Sequence, residues 1–543
     1  MQEIELKFLI PEARIPGLLR QVKVKSSQTT QLAAHYYDTP KQALAKAGIG
    51  LRIRLEGDQW VQTIKAGGDG IAARLEHNTV LDAELVQTRL DNDKLLPDLM
   101  IYQETSIAPT LTDFKLKKLA KNLTRQYVTD VERITRIIKD DNSSIEIAYD
   151  YGEIIHGSDT TLRYPIHEIE FELVSGELDF LFARAKVWCK RYKLCLSTVT
   201  KAERGGLLIK GQDYSSAVRA NLNQLNVSQD SSMAEFIRVI VHNCLLQILP
   251  NSSAIVAGSL HYEHILQLRI GIQRLRSALM AFESFADQLN PEWLAILEQT
   301  ERLLNTYRET AYLASAIDAK LQRFGAPSVD WSTELARLKV TPTNIVRAND
   351  FQLILLELIE FTMSDASNEP QAKMLAIDIV PKILAKKHSK LLNAKHKLAN
   401  LKHNTTFSNK LANDKLSTNV KAGNNSNDID QKAAHNTLQY EARHKVHQHL
   451  IDLRYISEFA APLYGDKKQA NKKSKRWLKR LIKAQQALDE QREHRHYQYH
   501  YQNKSPTDIN ALYGAGWFAA LTKSDLKRCQ KRLNKVRDSA VFW

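Results

Sequence analysis

The chain has 543 residues, so two or more domains with separate cores are expected. Its 76 lysines and arginines outnumber its 61 aspartates and glutamates, and the formal net charge of +15 favours anionic partners such as nucleotides, polyphosphate, nucleic acid or a membrane surface. Only four cysteines occur, without metal-binding spacing, and no apolar run has bilayer-spanning length, which excludes a disulfide-rich scaffold and a membrane-spanning protein.

The first eight residues alternate charged and apolar side chains. Glu3, Glu5 and Lys7 fall at every second position, with apolar residues between them. Because successive side chains of a strand point to opposite faces, the three charges would share one face. For a lone strand, the ordinary interpretation is a half-buried strand with a solvated charged face.

Later stretches repeat this alternation with charges of both signs. The charged positions on these stretches are Arg52, Arg54, Lys65, Arg74, Glu76, Glu168, Glu170 and Glu172. Strands with apolar outer faces and mixed charges on their inner faces are typical of a sheet that closes around a channel. A polyphosphate with a bound divalent metal would use both signs, because carboxylates bind hard cations and Arg and Lys bind phosphate oxygens.

The hydrophobic pattern changes along the chain and predicts an α+β protein. Residues 1–212 are predicted to be mostly strand, and residues 213–230 are polar and predicted to be a linker. From residue 231 to residue 543, leucines recur at three- and four-residue spacing, which predicts an all-α helical bundle. Within it, a polar stretch at about 405–436 is predicted to be a disordered insertion, and Lys467–Lys475 a basic loop.

Two segments of the helical half carry basic residues at helical spacing. The first segment has Arg269, Arg274 and Arg276, and the second has His444 and Arg454. Such spacing usually marks a solvated helix face. The alternative is an anion-binding groove between two pseudo-repeated helices.

The N-terminal motifs resemble the CYTH, or triphosphate tunnel metalloenzyme, superfamily. Five matches occur in the family's order over about residues 1–210: the ExExK pattern of Glu3, Glu5 and Lys7, and residues 35–40, 51–54, 168–172 and 200–205. The resemblance implies an N-terminal eight-stranded antiparallel β tunnel that hydrolyses or cyclises triphosphates with Mg²⁺ or Mn²⁺.

Each charged residue of such a tunnel has an expected role. The expected phosphate ligands are Lys7, Arg52, Arg54, Lys65, Arg133, Lys201 and Arg204. Glu168 and Glu170 are expected to bind the metal that bridges phosphate oxygens, while Glu3 and Glu5 bind a second metal or orient the attacking water. Glu3, Glu5 and Lys7 are thus the expected catalytic group. Asp150 and Glu172 are expected as outer partners, and Arg136 is a weaker phosphate-ligand candidate, because alternation points it away from Arg133.

The helical half resembles the CHAD domain, a conserved-histidine α-helical domain often fused behind CYTH, and the resemblance implies polyphosphate binding. The basic residues of both segments match the family pattern, but several positions depart from it. Leu266 stands where the family has histidine, His447 replaces an arginine, Ile451 a lysine, and Glu309 an aspartate. Because Leu266 and Ile451 each remove a donor, polyphosphate binding is expected to be weak. It is also expected to depend strongly on salt, because it would rest on exposed Lys and Arg.

The predicted function is an inorganic triphosphatase that converts tripolyphosphate to pyrophosphate and phosphate. Class IV adenylate cyclase, thiamine triphosphatase and a non-enzymatic polyphosphate-binding module are the alternatives. Inorganic triphosphate is the expected ligand, with long-chain polyphosphate as a second one; neither a membrane nor nucleic acid is an expected partner. A cytoplasmic location is expected from the scarcity of cysteine and from an acidic strand, rather than a signal peptide, at residue 3. Residues 1–212 are expected to fold and act without the rest.

Overall fold

The computed structural model describes residues 2–68, 70–415, 425–465 and 468–543. Its strands are β1 (Gln2–Leu9), β2 (Gln28–Asp38), β3 (Gly50–Glu56), β4 (Gln59–Ala66), β5 (Ala73–Leu81), β6 (Thr124–Lys139), β7 (Ser144–His156), β8 (Arg163–Ser175) and β9 (Cys195–Leu196).

Eight of these strands form a closed antiparallel barrel. The order is β5-β4-β3-β2-β6-β7-β8-β1, and β1 pairs back onto β5 through Glu3 opposite Arg74. The short β9 pairs with the second half of β1, beyond the point where β5 ends. The predicted tunnel is therefore confirmed, and closure leaves no edge on the eight main strands.

The helices are α1 (Ile15–Val22), α2 (Ala43–Lys46), α3 (Ala83–Asp91), α4 (Leu116–Ala120), α5 (Leu178–Tyr192), α6 (Lys201–Ile209), α7 (Met233–Val256), α8 (Tyr262–Phe282), α9 (Glu292–Tyr312), α10 (Asp318–Gln322), α11 (Ser332–Ala336), α12 (Pro342–Val346), α13 (Asn349–Met363), α14 (Ala376–Lys415), α15 (Asn425–Ala460), α16 (Lys468–Lys504) and α17 (Ala511–Arg537). The helical half begins at a capping box, in which Ser232 and Glu235 bond each other's backbone amides. The predicted fold class, a β tunnel followed by an all-α region, is confirmed.

The alternation predicted for the strands sorts their side chains between channel and core. Phe8 and Phe171 lie on the outer face of the barrel and pack edge to face at a centroid distance of 5.6 Å. Phe171 also packs against Trp188 of α5. This apolar layer continues without interruption into the core of the helical half, which includes Phe236 of α7 and Phe351 of α13. The barrel and the helices thus share one hydrophobic core.

Among the described helices, α7 alone has the length and hydropathy of a membrane span, although the sequence pattern had suggested none. Of its apolar window, 78% is buried inside the fold. Such burial is typical of a core helix.

Two predictions for the helical half concern segments at the edge of the described residues. The prediction of a basic loop at Lys467–Lys475 was wrong from residue 468 onward, because these residues form the start of α16. Residues 416–424, the centre of the predicted insertion at about 405–436, lie outside the described residues, and α14 and α15 border them. The disordered insertion stays a prediction.

Candidate active site

A cavity of about 760 Å³ runs through the barrel and is lined by charged side chains. The predicted site residues along it are Glu3, Glu5, Lys7, Arg52, Arg54, Lys65, Arg133, Glu170 and Lys201. Glu168 and Arg204 lie behind this wall, with exposed fractions of 0% and 6%. All eleven predicted tunnel residues are therefore in or directly behind one channel.

Three buried carboxylates form the acidic centre of the cavity. Oxygens of Asp150, Glu168 and Glu170 lie within 4.8 Å of one another, and both Asp150 and Glu168 are fully buried. The strand register brings them together, because Asp150 of β7 lies directly opposite Glu168 of β8. Clustered carboxylate oxygens are the donor set that hard divalent cations prefer, so these residues fit such a metal ion.

Cations surround the three carboxylates and neutralise them. The Lys201 ammonium lies 2.6 Å from Asp150 and 2.8 Å from Glu170, and it also contacts Glu168. Arg133 donates to both oxygens of Asp150, at 2.7 and 2.6 Å, and to Glu170 at 2.6 Å. Burial would raise the pKa of Glu170, but Lys201, Lys7 and Arg133 hold that pKa well below its usual range. These three cations therefore favour the ionised form of the Glu170 carboxylate.

Lys7 connects the first strand to this centre. Its ammonium lies 3.2 Å from Glu170, 3.6 Å from Glu5 and 3.8 Å from Glu168. Burial lowers the pKa of Lys7, and Glu170 and Glu5 oppose that effect.

Glu3 belongs to a second charged group, at the seam where β1 meets β5. Lys65 donates to its two carboxylate oxygens at 2.7 and 2.8 Å and lies 2.9 Å from Glu76. Burial raises the pKa of Glu3. Burial, followed by the nearby charge of Glu3, raises the pKa of Glu172 to about 7. The predicted metal ligands are therefore divided between two groups along the channel.

Arg52 lies beside an aromatic pair on the channel wall. Its guanidinium donates to the Tyr36 hydroxyl at 3.3 Å, and the Tyr36 ring stacks on Tyr127 at 4.8 Å. Arg54 forms an ion pair with Glu56. Arg136, the weaker candidate, points away from Arg133 and donates to the Gln21 carbonyl at 2.6 Å.

Helix α6 carries the remaining two cations, Lys201 and Arg204, and its position is defined by close packing. Thr200 caps it by accepting a bond from the Glu203 amide. A Cβ on Gly205 would lie 2.3 Å from the Tyr127 ring, so only glycine fits this close approach. Arg204, one turn after Lys201, forms an ion pair with Glu168.

Asp150, Arg74 and Tyr36 are more closely involved in the site than the sequence indicated. Asp150 was expected only as an outer partner, yet it is one of the three clustered carboxylates. The signal was present in the alternation of residues 144–150, but strand pairing was needed to set it beside Glu168. Arg74 and Tyr36 both line the cavity.

The structure separates the basic residues predicted for the helical half. Arg274 is 1% exposed and donates to Gln247 and Asn243, so it is part of the core and does not face a surface groove. Arg269 and Arg276 share Glu301, at 3.8 and 2.6 Å. The sequence had placed all three arginines in one anion groove.

The second basic segment lies nearby on α15. Arg454 donates to Glu458 at 2.9 Å and to Gln485 at 2.8 Å, while His444 is exposed. His447 contacts Asp489 at 2.6 Å. The Tyr455 hydroxyl joins this helix to α8 through Gln273, at 3.3 Å.

Further cations adjoin this region and were not among the predicted groove residues. Arg308 and Arg492 each lie 3.8 Å from Glu309, and His496 lies 3.5 Å from it. Burial lowers the pKa of Arg269, and the positive charge of Arg308 lowers it further. Arg269, Arg308, Arg492 and His496 are called the helical basic cluster below.

Comparison with known proteins assigns both halves of the chain. Residues 1–205 match the CYTH domain model, and residues 239–500 match the CHAD domain model. An inorganic triphosphatase of Haemophilus influenzae is 33% identical over 214 residues, which cover 38% of this chain and 55% of that protein. The aligned region thus spans about half the length of that relative.

Solved structures also resemble parts of the chain. The CHAD domain from the plant Ricinus communis is 17% identical with a TM-score of 0.38, and the match covers 60% of this chain and 99% of that one. A proposed adenylyl cyclase from Hippeastrum, described as having a dominant triphosphatase activity, is 16% identical with a TM-score of 0.27, covering 39% and 96%. From the two domain matches, the chain contains a CYTH domain at residues 1–205 followed by a CHAD domain at residues 239–500.

Proposed function

We propose that this chain is a metal-dependent inorganic triphosphatase, which hydrolyses tripolyphosphate to pyrophosphate and phosphate. The CYTH domain and the similarity to an inorganic triphosphatase support a triphosphate-hydrolysing activity. The observation that carries the proposal is the buried cluster of Asp150, Glu168 and Glu170, set among cations inside a closed channel. A binding module would need only the cations, whereas the acidic cluster suits a metal-assisted reaction.

The acidic cluster would hold Mg²⁺ or Mn²⁺, and a bound ion of this kind would neutralise developing charge on the phosphate oxygens. Glu168 and Glu170 are the ligands named from the sequence, and Asp150 joins them. Glu3 and Glu5 would orient the attacking water or hold a second ion, as the sequence suggested. Each lies beside a cation, Glu3 beside Lys65 at 2.7 Å and Glu5 beside Lys7 at 3.6 Å.

The cations of the channel would bind the substrate's phosphate oxygens. Lys7, Lys201 and Arg133 now pair with carboxylates, and a metal ion that binds those carboxylates would release the cations toward phosphate. Arg52, Arg54, Lys65 and Arg204 extend this set along the channel. Hydrolysis then depends on positioned phosphates and an oriented water, which is what phosphoryl transfer requires.

The substrate assignment is tested by a side-by-side assay of the purified full chain. Phosphate release from tripolyphosphate, ATP and thiamine triphosphate is measured with Mg²⁺, with Mn²⁺ and with a chelator, and cyclic AMP formation is followed for ATP. We expect tripolyphosphate to give the highest kcat/KM. A higher value for ATP with cyclic AMP as product would replace this proposal by a cyclase.

For the helical domain, we propose weak binding of long-chain polyphosphate at the helical basic cluster. The supporting observation is that three arginines and a histidine from α8, α9 and α16 converge there, around the carboxylates of Glu301, Glu309 and Glu493. Such binding should weaken as salt rises, because it depends on counterion release.

The matched experiment is a polyphosphate titration of the full chain at low and high salt. Arg269→Ala/Arg492→Ala should weaken binding, while Arg476→Ala/Lys479→Ala, at the exposed start of α16, should not. The reverse result would move the site to the start of α16. We also propose a cytoplasmic location, supported by four cysteines that are all free.

A further inference from the structure

The connection between β9 and α6 is bound by side chains of the helical half. The Leu196 amide donates to the Gln352 carbonyl oxygen at 2.7 Å, and the Thr198 amide donates to the Ser253 hydroxyl at 3.0 Å. Between them, the Ser197 amide donates to the Lys7 carbonyl at 2.9 Å. Consecutive amides of this short segment are therefore bound alternately by the helical half and by the barrel strand that carries the ExExK motif.

The two helical side chains are themselves rigidly placed. Gln352 of α13 and Ser253 of α7 are each 1% exposed. Gln352 also donates to the Val346 carbonyl at 2.7 Å, and Ser253 donates to the Leu249 carbonyl at 2.8 Å. Because both hydrogen-bonding groups of each side chain are used, neither can turn away from the segment without leaving a buried polar group unpaired.

The segment leads directly to two cations of the tunnel. Thr200, two residues after Thr198, caps α6, and Lys201 is the first residue of that helix. Lys201 lies 2.6 Å from Asp150 and 2.8 Å from Glu170, and Arg204 follows one turn later against Glu168. Three peptide units therefore separate an amide bound by Ser253 from a phosphate-binding candidate at the centre of the cavity.

We propose that Ser253 and Gln352 of the helical half are positioning residues for the tunnel, which set where α6 begins and so where Lys201 and Arg204 meet the substrate. This inference rests on the proposed triphosphatase function. It assigns the CHAD domain a direct part in building the CYTH site, separate from any ligand that the CHAD domain binds. The effect acts through the backbone of residues 196–200, since neither side chain lines the cavity.

The chain offers a matched control for Ser253 in its neighbour. Ser252 lies on the same helix and is equally buried, at 1% exposure, and within the described residues its hydroxyl has no hydrogen-bond partner. Ser253→Ala and Ser252→Ala remove the same atom from the same helix. Only the first removes an acceptor from the β9–α6 segment.

The experiment measures steady-state kinetics on tripolyphosphate and amide hydrogen exchange for the full chain. Ser253→Ala is expected to raise KM roughly three- to tenfold, the size that loss of one hydrogen bond to a buried donor gives, with kcat changed less. Gln352→Met, which keeps the side-chain length and removes the acceptor, should act in the same direction. Ser252→Ala should match the wild type.

Exchange in residues 196–209 gives a readout that does not need activity. Faster exchange there in Ser253→Ala than in Ser252→Ala is expected, while exchange in helices remote from this segment should be the same for the two variants. If the wild type does not hydrolyse tripolyphosphate, the proposed function is wrong. The exchange difference between the two serine variants would still test the positioning role of Ser253. Equal KM and equal exchange in Ser253→Ala, Gln352→Met and Ser252→Ala would overturn the inference.

Discussion

At the scale of single residues, the cavity wall is a set of ion pairs that share partners. Glu170 pairs with Lys7, Lys201 and Arg133, at 3.2, 2.8 and 2.6 Å, so three cations meet on one carboxylate. Buried charges of both signs are stable together only when paired, and removing one partner leaves the others uncompensated. Substitutions here should therefore affect chemistry and stability together, and controls must come from the same barrel.

Glu170→Gln is predicted to lower kcat by about 100-fold or more, because it removes a charged ligand from the acidic cluster. Glu153→Gln is the control, since Glu153 lies on β7 but pairs with Arg163 at the protein surface. The measurement is phosphate release at saturating tripolyphosphate. A Glu170→Gln variant with a kcat close to that of the control would contradict the assignment.

Asp150→Asn distinguishes a metal ligand from an outer partner. If Asp150 binds the ion, the Mg²⁺ concentration for half-maximal activity should rise about tenfold or more, because a neutral amide is a poorer ligand for a hard cation. The measurement is an Mg²⁺ titration of activity beside the wild type. An unchanged titration with a raised KM for tripolyphosphate would mean that Asp150 acts only by orienting Arg133.

At the scale of elements, alternation predicted the barrel well because each strand has one apolar and one charged face. The faces of β1 and β8 follow the prediction, with Glu5 and Lys7 toward the channel and Phe8 and Phe171 in the core. Alternation does not predict which residues of neighbouring strands lie opposite each other. Asp150 joins the acidic cluster because the strand register places it opposite Glu168.

The helical half was less predictable for a related reason. A helix in a bundle contacts several neighbours, so a basic position on one stripe can face a partner helix and not solvent. Arg274 is the example: it shares the predicted stripe, yet it lies in the core with Gln247, Asn243 and the ring of Phe459. Its neighbour Arg276 faces Glu298 and Glu301 on α9.

The placement of α6 gives a prediction at the same scale. Gly205→Ala is expected to destabilise the fold by roughly 1–3 kcal/mol, because the added methyl group would overlap the buried Tyr127 ring. Gly206→Ala is the matched control: its nearest neighbour would be Gln42 at 3.7 Å, and alanine in a helix should gain up to about 1 kcal/mol. Denaturant unfolding of both variants measures the difference. Equal stabilities would show that α6 does not pack as described.

At the scale of the whole molecule, the shared core changes the expectation that residues 1–212 act alone. Phe8, Phe171 and Trp188 belong to the same apolar cluster as Phe236 and Phe351. Cutting the chain at residue 212 would expose this layer and remove Ser253 and Gln352 from the β9–α6 segment.

We therefore predict that a fragment of residues 1–212 has a lower Tm than the full chain and a higher KM for tripolyphosphate. Thermal unfolding and steady-state kinetics of the two proteins measure both effects. A fragment that equals the full chain in Tm and in KM would restore the sequence-based expectation of an independent domain.

We propose above that the charged side chains of the tunnel hydrolyse inorganic triphosphate with a divalent metal. The most direct measurement is phosphorus NMR of tripolyphosphate incubated with the full chain and Mg²⁺, with Glu170→Gln beside it. The account predicts that pyrophosphate and phosphate appear in equal amounts, that a chelator stops the reaction, and that excess Mg²⁺ restores it. Tripolyphosphate that stays intact with every divalent metal, or that Glu170→Gln hydrolyses as fast as the wild type, would contradict the account.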